Sequence, residues 1–265
     1  MKVGIVGCSG RMGQMLLREV LATPGCTLVG GTDRPGSPVL GRDLGLLAGQ
    51  DSLGVTVTED PVPLFAEAEA VIDFTTPEAT ERHAALAAQA TTALVIGTTG
   101  LNRTQLDAIA VAAQHTAIVQ SANMSLGVNL VLALVEQVSR TLGPEFDVEI
   151  LEMHHRNKVD APSGTALALG RAAAAGRGVD LDAVSQRVRD GHTGARRPGD
   201  IGFATLRGGD VVGDHVVTFA GEGERIEIAH RAGGRQIYAS GAVRAALWAR
   251  TQPAGLYGMR DVLGL

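Results

Sequence analysis

The sequence predicts an α/β protein, with a doubly wound parallel sheet followed by a second α+β domain built on a mixed or antiparallel sheet. Three observations carry this. Over the first half, short strands that are apolar throughout alternate with helical stretches. A glycine-rich turn joins the first strand to the first helix. Beyond Asn123 the pattern changes to strands of alternating polarity.

Taken in order, Val3-Gly4-Ile5-Val6 is a buried strand, and a helical pattern runs from the glycine turn to about Leu21. A second strand, Thr27 to Gly31, ends at Asp33-Arg34. Further strands are expected at Val55–Val57, Val71–Phe74, Ala93–Ile96 and Ala117–Val119. Helices fill the gaps from Pro77 to Gln89, with proline in the first turn, and from Thr104 to Gln114 after Asn102. A long apolar helix, about Ser125 to Leu142, stops at Gly143-Pro144. Strands are then expected from Val148, over Ile201–Arg207, Val211–Phe219 and Arg225–His230, broken by glycine turns. The alternation Glu224, Ile226, Ile228, His230 suits a sheet with one packed and one open face. One clear helix, Thr165–Ala175, interrupts this half before a last helix, about Tyr238–Arg250, which can return to the first domain. The expected division is 1–124 plus 237–265 for the first domain and 125–236 for the second.

Composition narrows the function. Of 265 residues 45% are hydrophobic and 19% charged, a globular balance. Aromatics supply only 3%, so Ala, Val, Leu and Gly must build the interior. A net charge of −5 argues against a nucleic-acid binder, while leaving room for a local basic patch on a phosphorylated ligand. Cys8 and Cys26 have no metal-ligand spacing and cannot form a disulfide framework. With neither an apolar leader nor an apolar run of about 18 residues, a cytoplasmic protein without a membrane segment is expected. Lysine occurs only at positions 2 and 158, all other basic side chains being arginine, so Lys158 stands out. An ammonium can be tuned to lose its proton near neutral pH, whereas a guanidinium cannot. An ordinary surface charge is the plainer alternative.

Gly7, Gly10 and Gly13 lie where a Rossmann-like unit needs a tight turn, close backbone approach to a pyrophosphate and a helix N-terminus aimed at it. The spacing is G-x-x-G-x-x-G, with Ser9 at the usual middle glycine, so placement rather than pattern carries the reading; a structural turn is the alternative. Asp33 ends the second strand, where an acid accepts from adenosine ribose hydroxyls and favours NADH. Arg34 and Arg11 can instead hold the 2′-phosphate of NADPH, so both cofactors stay open. Gly97-Thr98-Thr99-Gly100 and Ser121-Ala122-Asn123-Met124 follow two further strands, at the edge where such sheets bind ligands.

The densest polar segment runs from Glu152 to Thr165 and leads from a strand into a helix. His154 and His155 can exchange protons near neutral pH, and Lys158 can act as a second acid. Ser163 after Pro162 is a natural N-cap, and the N–H groups of Gly164 and Thr165 at such a helix start can receive a carboxylate. This suits an anionic small molecule that gains a proton as it accepts a hydride. Adjacent histidines on extended chain point to opposite sides, and no set of companion ligands accompanies them, so no metal is expected.

At this segment the chain resembles the 4-hydroxy-tetrahydrodipicolinate reductase (dihydrodipicolinate reductase) family. The resemblance lies in Glu152-x-His154-His155-x-x-Lys158-x-Asp160-Ala161-Pro162-Ser163-Gly164-Thr165-Ala166, and in the glycine turn. It extends through Asp73-Phe74-Thr75, Gly97-Thr98-Thr99-Gly100, Ala122-Asn123, Gly191-His192-Thr193-Gly194, Ile201-Gly202-Phe203-Ala204 and Met259-Arg260-Asp261-Val262-Leu263. It implies reduction of a cyclic dicarboxylate by NADH or NADPH on the diaminopimelate route to lysine, by a homotetramer assembled through the second domain's sheet. Carried over by position, His154 is proton donor or acceptor and Lys158 proton donor. His155, Ser163, Gly164 and Thr165 contact substrate. Gly7, Cys8, Ser9, Gly10, Arg11, Met12, Asp33, Arg34, Gly97, Thr98, Thr99, Ser121, Ala122, Asn123 and Met124 contact cofactor. Met124 stands where many relatives carry Phe and can still pad a nicotinamide ring. Asn157 replaces a frequent His, and Asp rather than Glu at 33 leaves room for dual cofactor use. Two other activities compete with this one. An aldehyde-oxidising dehydrogenase would need a mid-chain nucleophilic cysteine, and both cysteines lie in the first domain. A dinucleotide sensor would need no paired His and Lys beside an anion pocket.

Overall fold

A computed structural model describes all residues, Met1–Leu265. In chain order the elements are β1 (Lys2–Val6), α1 (Arg11–Ala22), β2 (Thr27–Thr32), α2 (Leu44–Ala48), β3 (Val57–Thr58), α3 (Val62–Glu67) and β4 (Ala70–Asp73). Next come α4 (Pro77–Ala90), β5 (Ala93–Ile96), α5 (Arg103–Ala112), β6 (Ala117–Gln120) and α6 (Leu126–Leu142). A short 3₁₀ turn leads to β7 (Asp147–His154), α7 (Gly164–Arg177), α8 (Leu181–Val184), β8 (Ser185–Gln186), β9 (Ile201–Arg207), β10 (Asp214–Gly221) and β11 (Glu224–Arg231). The chain closes with α9 (Gln236–Ala249), β12 (Gly255–Tyr257) and α10 (Met259–Leu263). It divides into two compact units, Met1–Leu126 with Gln236–Leu265, and Gly127–Arg235.

The first unit is a seven-stranded parallel sheet in the order β12-β6-β5-β4-β1-β2-β3. Its central strands β4 and β5 are buried along their whole length, which is why they read as continuous apolar runs. Helix α1 packs one face inward through Gly13, Leu16, Leu17 and Val20, at helical spacing. Helix α9 lies against α1 and across β4, β5 and β6. Its buried face is alanine and glycine, which brings it close: a side chain at Gly241 would sit 1.7 Å from the Met124 carbonyl oxygen.

The second unit has a five-stranded sheet, β11-β10-β7-β9-β8, that is mixed: β7, β9 and β8 run parallel, whereas β10 is antiparallel to β7 and β11. Val148, Ile150, Phe203, Val217 and Phe219 on one face form a core with Ala166, Leu169 and Ala173 of α7 and Val135 of α6. Glu224, Ile226, Ile228 and His230 share one face of β11, but only Ile228 and His230 are half-buried on it, since β11 is an edge strand and Ile226 stays 38% exposed. The strand expected at 55–57 is instead the two-residue β3, with Thr56 bridging to Asp43. The short α2, α3, α8, β8, β12 and α10 escape sequence reading because none is long enough to display a period. No helix is long and apolar enough to cross a membrane.

Candidate active site

In the first unit, the turn after β1 places Gly7 at φ +69°, with Gly10 as an N-cap that offers no side chain to the first turn of α1. The N-terminal N–H groups of α1 are thus left for an anion. A side chain at Gly13 would lie 2.3 Å from the Gly7 carbonyl oxygen and 2.6 Å from that of Cys8, so only glycine lets α1 start this close to β1. Asp33, at the end of β2, accepts from the Ser9 N–H at 3.2 Å and from the Arg34 N–H at 2.7 Å. Gly7, Ser9, Gly10, Asp33 and Arg34 line a cleft of about 920 Å³ whose apolar wall includes Phe74 and Leu86. A nucleotide fits this cradle: a bare helix start for phosphate, an anchored carboxylate for ribose hydroxyls and an apolar wall for a base.

Beneath the cleft lies a network that sequence reading missed. Asp73 ends β4 fully buried. Its Oδ1 accepts from the Thr75 N–H at 2.8 Å and hydroxyl at 2.6 Å, and its Oδ2 lies 2.8 Å from His83 Nδ1. The Thr98 hydroxyl accepts from Thr75 N–H at 3.1 Å and Thr80 O–H at 2.8 Å. These bonds tie the loops after β4 and β5 together. The one available signal was a carboxylate closing an otherwise apolar strand.

The predicted cofactor residues are distributed unevenly. Arg11, Thr99 and Ala122 are exposed, and Met12, Gly97, Ser121 and Asn123 are half-buried at strand or helix ends. Gly97 is needed because a side chain there would strike the Phe74 ring at 2.3 Å. Ser121 donates to the Asn123 carbonyl at 2.8 Å, and Asn123 Oδ1 accepts from Ser125 N–H at 2.9 Å, which shapes the loop after β6. Three side chains are buried. Cys8 is fully buried, its N–H donates to the Thr32 carbonyl at 3.0 Å, and burial reinforced by nearby Asp33 pushes its thiol up to about 12. Thr98 spends its hydroxyl in the Asp73 network. Met124 is 1% exposed, in the core that includes Ala242 and Ala246. Which side chains of a cofactor loop are buried is a distinction that motif spacing does not encode.

In the second unit the polar segment gathers at the C-terminal end of β7. Strand register decides the company: Glu152 lies beside Thr205 of β9 and His215 of β10, and His154 beside Arg207. All five share the helix-covered face. His154 is buried and its Nδ1 lies 2.6 Å from a Glu152 carboxylate oxygen. His155 is half-buried, on the other side of the chain. Its carbonyl accepts from the Lys158 N–H at 3.1 Å, closing a turn that carries Lys158, whose Nζ donates to Asp160 at 2.8 Å. After a cis Ala161–Pro162 bond, the buried Ser163 hydroxyl accepts from the Ala166 N–H at 3.1 Å and caps α7. Gly164 is exposed and Thr165 half-buried in the first turn. The same Ser163 hydroxyl is hydrogen-bonded to His215 Nε2 at 3.0 Å. Burial first, then the neighbouring His154, pushes His215 down to about 4, so it is neutral at physiological pH. Glu152, Arg207 and His215 received no role from sequence, since strand pairing rather than spacing brings them in. The arrangement offers a proton-exchanging ring, an ammonium and a helix start within one short stretch, a set suited to protonating a bound anion.

Known proteins agree over the whole chain. Residues 1–124 match the family described as dihydrodipicolinate reductase, N-terminus, and residues 127–263 its C-terminus. The chain is 58% identical over 265 residues to 4-hydroxy-tetrahydrodipicolinate reductase of Methylocella silvestris, covering 100% of this chain and 97% of that protein. It is 57% identical over 262 residues to the protein of the same name from Brucella abortus, covering 98% of each. The dipicolinate-bound dihydrodipicolinate reductase from Paenisporosarcina sp. TG-14 superposes with a TM-score of 0.78 at 25% identity, over 98% of each chain. A probable dehydrogenase from Thermotoga maritima, at 11% identity, TM-score 0.62 and coverage of 99% of this chain and 92% of that one, shares the fold.

Proposed function

The chain belongs to the dihydrodipicolinate reductase family, and from that premise we propose how its residues perform the family's reaction. The activity is the nicotinamide-dependent reduction of 4-hydroxy-tetrahydrodipicolinate to tetrahydrodipicolinate in diaminopimelate and lysine biosynthesis. Overall, one hydride and one proton enter and the hydroxyl leaves as water.

The first unit binds the dinucleotide and the second binds the substrate. Reduced nicotinamide, when bound, supplies the hydride. Arg11 and Met12 offer backbone N–H groups to the pyrophosphate at the bare start of α1, and Gly7, Ser9 and Gly10 shape the turn on which it rests. Asp33 accepts from the adenosine ribose, and the exposed Arg34 beside it can pair with a 2′-phosphate, so the enzyme uses both NADH and NADPH. Gly97, Thr98, Thr99, Ser121, Ala122 and Asn123 border the nicotinamide end. Ser163 orients the first turn of α7 so that Gly164 and Thr165 N–H groups hold a ring carboxylate, with His155 beside it. The observation that carries this reading is the convergence of His154, Lys158 and that helix start at the end of β7. Lys158 attracts the dianion and donates a proton; His154 exchanges the proton through its ring. Four copies assemble through the second sheet's open face, and the enzyme works in the cytoplasm among the other steps of its route.

The test is a direct one, following nicotinamide absorbance with freshly generated substrate. Lys158→Ala is expected to lower kcat by at least about a hundredfold, the scale for losing a positioned acid. Full turnover in Lys158→Arg would contradict proton donation, because guanidinium keeps its proton. Tight dinucleotide binding without any oxidation in the presence of substrate would point to a sensor instead.

A further inference from the structure

Glu152 is 1% exposed, at the centre of the second sheet. Its Oε1 accepts from the Ser163 N–H at 3.0 Å and Arg207 Nη2 at 3.0 Å, with the Thr205 hydroxyl at 3.4 Å. Its Oε2 accepts from Arg207 Nη1 at 2.9 Å and lies 2.6 Å from His154 Nδ1. Burial by itself would push this acid up; the Arg207 guanidinium foremost, and then His154, hold it below the ordinary carboxylate range instead. An ionised carboxylate only accepts. His154 Nδ1 therefore carries a hydrogen, and in the neutral ring Nε2 is the atom with a free lone pair. Nε2 also has its own clearance: a side chain at Gly213 would stand 2.9 Å from it. Arg207 reaches further, donating from Nη2 to the Asp160 carbonyl at 2.6 Å, within the turn that carries Lys158.

We propose that Glu152, clamped by Arg207, is a positioning residue that fixes the His154 tautomer, so that Nε2 is the atom exchanging the substrate's proton. The same Arg207 couples that ring to the Lys158 turn, so the two proton-handling groups are set by one ion pair. This inference rests on the reading of His154 as a proton-exchanging group. The geometry is that of a carboxylate orienting an imidazole for general acid–base work, where the wrong tautomer disables an otherwise intact site.

The experiment is ¹⁵N-histidine NMR on the full chain above the histidine titration, with His154 assigned by its loss in His154→Gln. The expected spectrum shows His154 protonated at Nδ1 and bare at Nε2. In Glu152→Gln the amide can donate as well as accept, so a tautomer mixture is expected. Its kcat should fall at least roughly tenfold, while NADH affinity stays within about twofold. Arg207→Lys, which keeps the charge but loses the fork, should shift the tautomer in the same direction. That variant and the unsubstituted spectrum serve if Glu152→Gln does not fold. An Nε2-protonated His154 in the unsubstituted protein, or an unchanged tautomer in Glu152→Gln, would overturn the assignment to Glu152. Full turnover in His154→Gln would overturn the underlying reading of His154, separately from what the spectra report.

Discussion

His215 shows how much of this site is decided by a side chain the motif does not contain. It meets His154 edge-on, with ring centroids 5.1 Å apart, and a second imidazolium there would oppose protonation of the first. Burial keeps it neutral, with its pKa lowered from 6.5 to about 4. Between those values the unfolded chain binds a proton that the folded chain refuses, so stability is full above about 6.5 and falls as pH drops toward 4. Denaturation midpoints measured across that range should decline on acidification. His215→Gln should flatten the slope by up to about one proton, and an unchanged slope would contradict a neutral buried ring. Legibility at this scale was divided. His154, Lys158 and Ser163 could be read because they sit together in sequence. Glu152 was visible in the motif without a role, and Arg207 and His215 were invisible because only cross-strand register makes them neighbours.

Elements begin where the chemistry needs them. Helix α1 can start beside β1 only because Gly13 has no side chain. Gly13→Ala is expected to destabilise the protein by about 1–3 kcal/mol, the usual cost of overpacking, and to weaken NADH binding. Denaturation and a fluorescence titration check both, and native affinity in that variant would detach the turn from the cofactor site. Helix α7 is started by a different device, the Ser163 hydroxyl. Ser163→Ala removes the cap from Ala166 N–H and the hydrogen bond to His215 together. The expected loss is about 1–2 kcal/mol, with a raised KM for substrate as the helix start loosens. The first-half helices and strands were readable in sequence because buried parallel strands and amphipathic helices have distinct periods. The one-turn helices and the edge strand β12 were not, having too few residues to show any.

For the whole molecule, the second sheet has two unlike faces. The inner one carries the core and the polar row. The outer one carries Leu151, Met153, Ala204, Leu206 and Val216, with Leu151 40% and Leu206 47% exposed. Apolar surface of this kind on a broad sheet marks an association face. If the proposed homotetramer uses this face, sedimentation should give four times the chain mass, and Leu206→Arg should lower it. A monomer at micromolar concentration without substitution would refute the assembly proposed above.

By itself the sequence determined that a parallel α/β half precedes a sheet of alternating polarity, that a glycine turn opens the first helix, and that His154 and Lys158 share a short polar stretch. These are local facts, set by periodicity, by the steric demands of glycine and by separation along the chain. The tertiary structure alone decided that Cys8, Thr98 and Met124 are buried while Ser9, Thr99 and Asn123 are less so. It alone placed Glu152, Arg207 and His215 around His154. Burial and strand register are long-range outcomes of packing, and a residue's neighbours across a sheet are fixed by which strands pair, a choice no local spacing records.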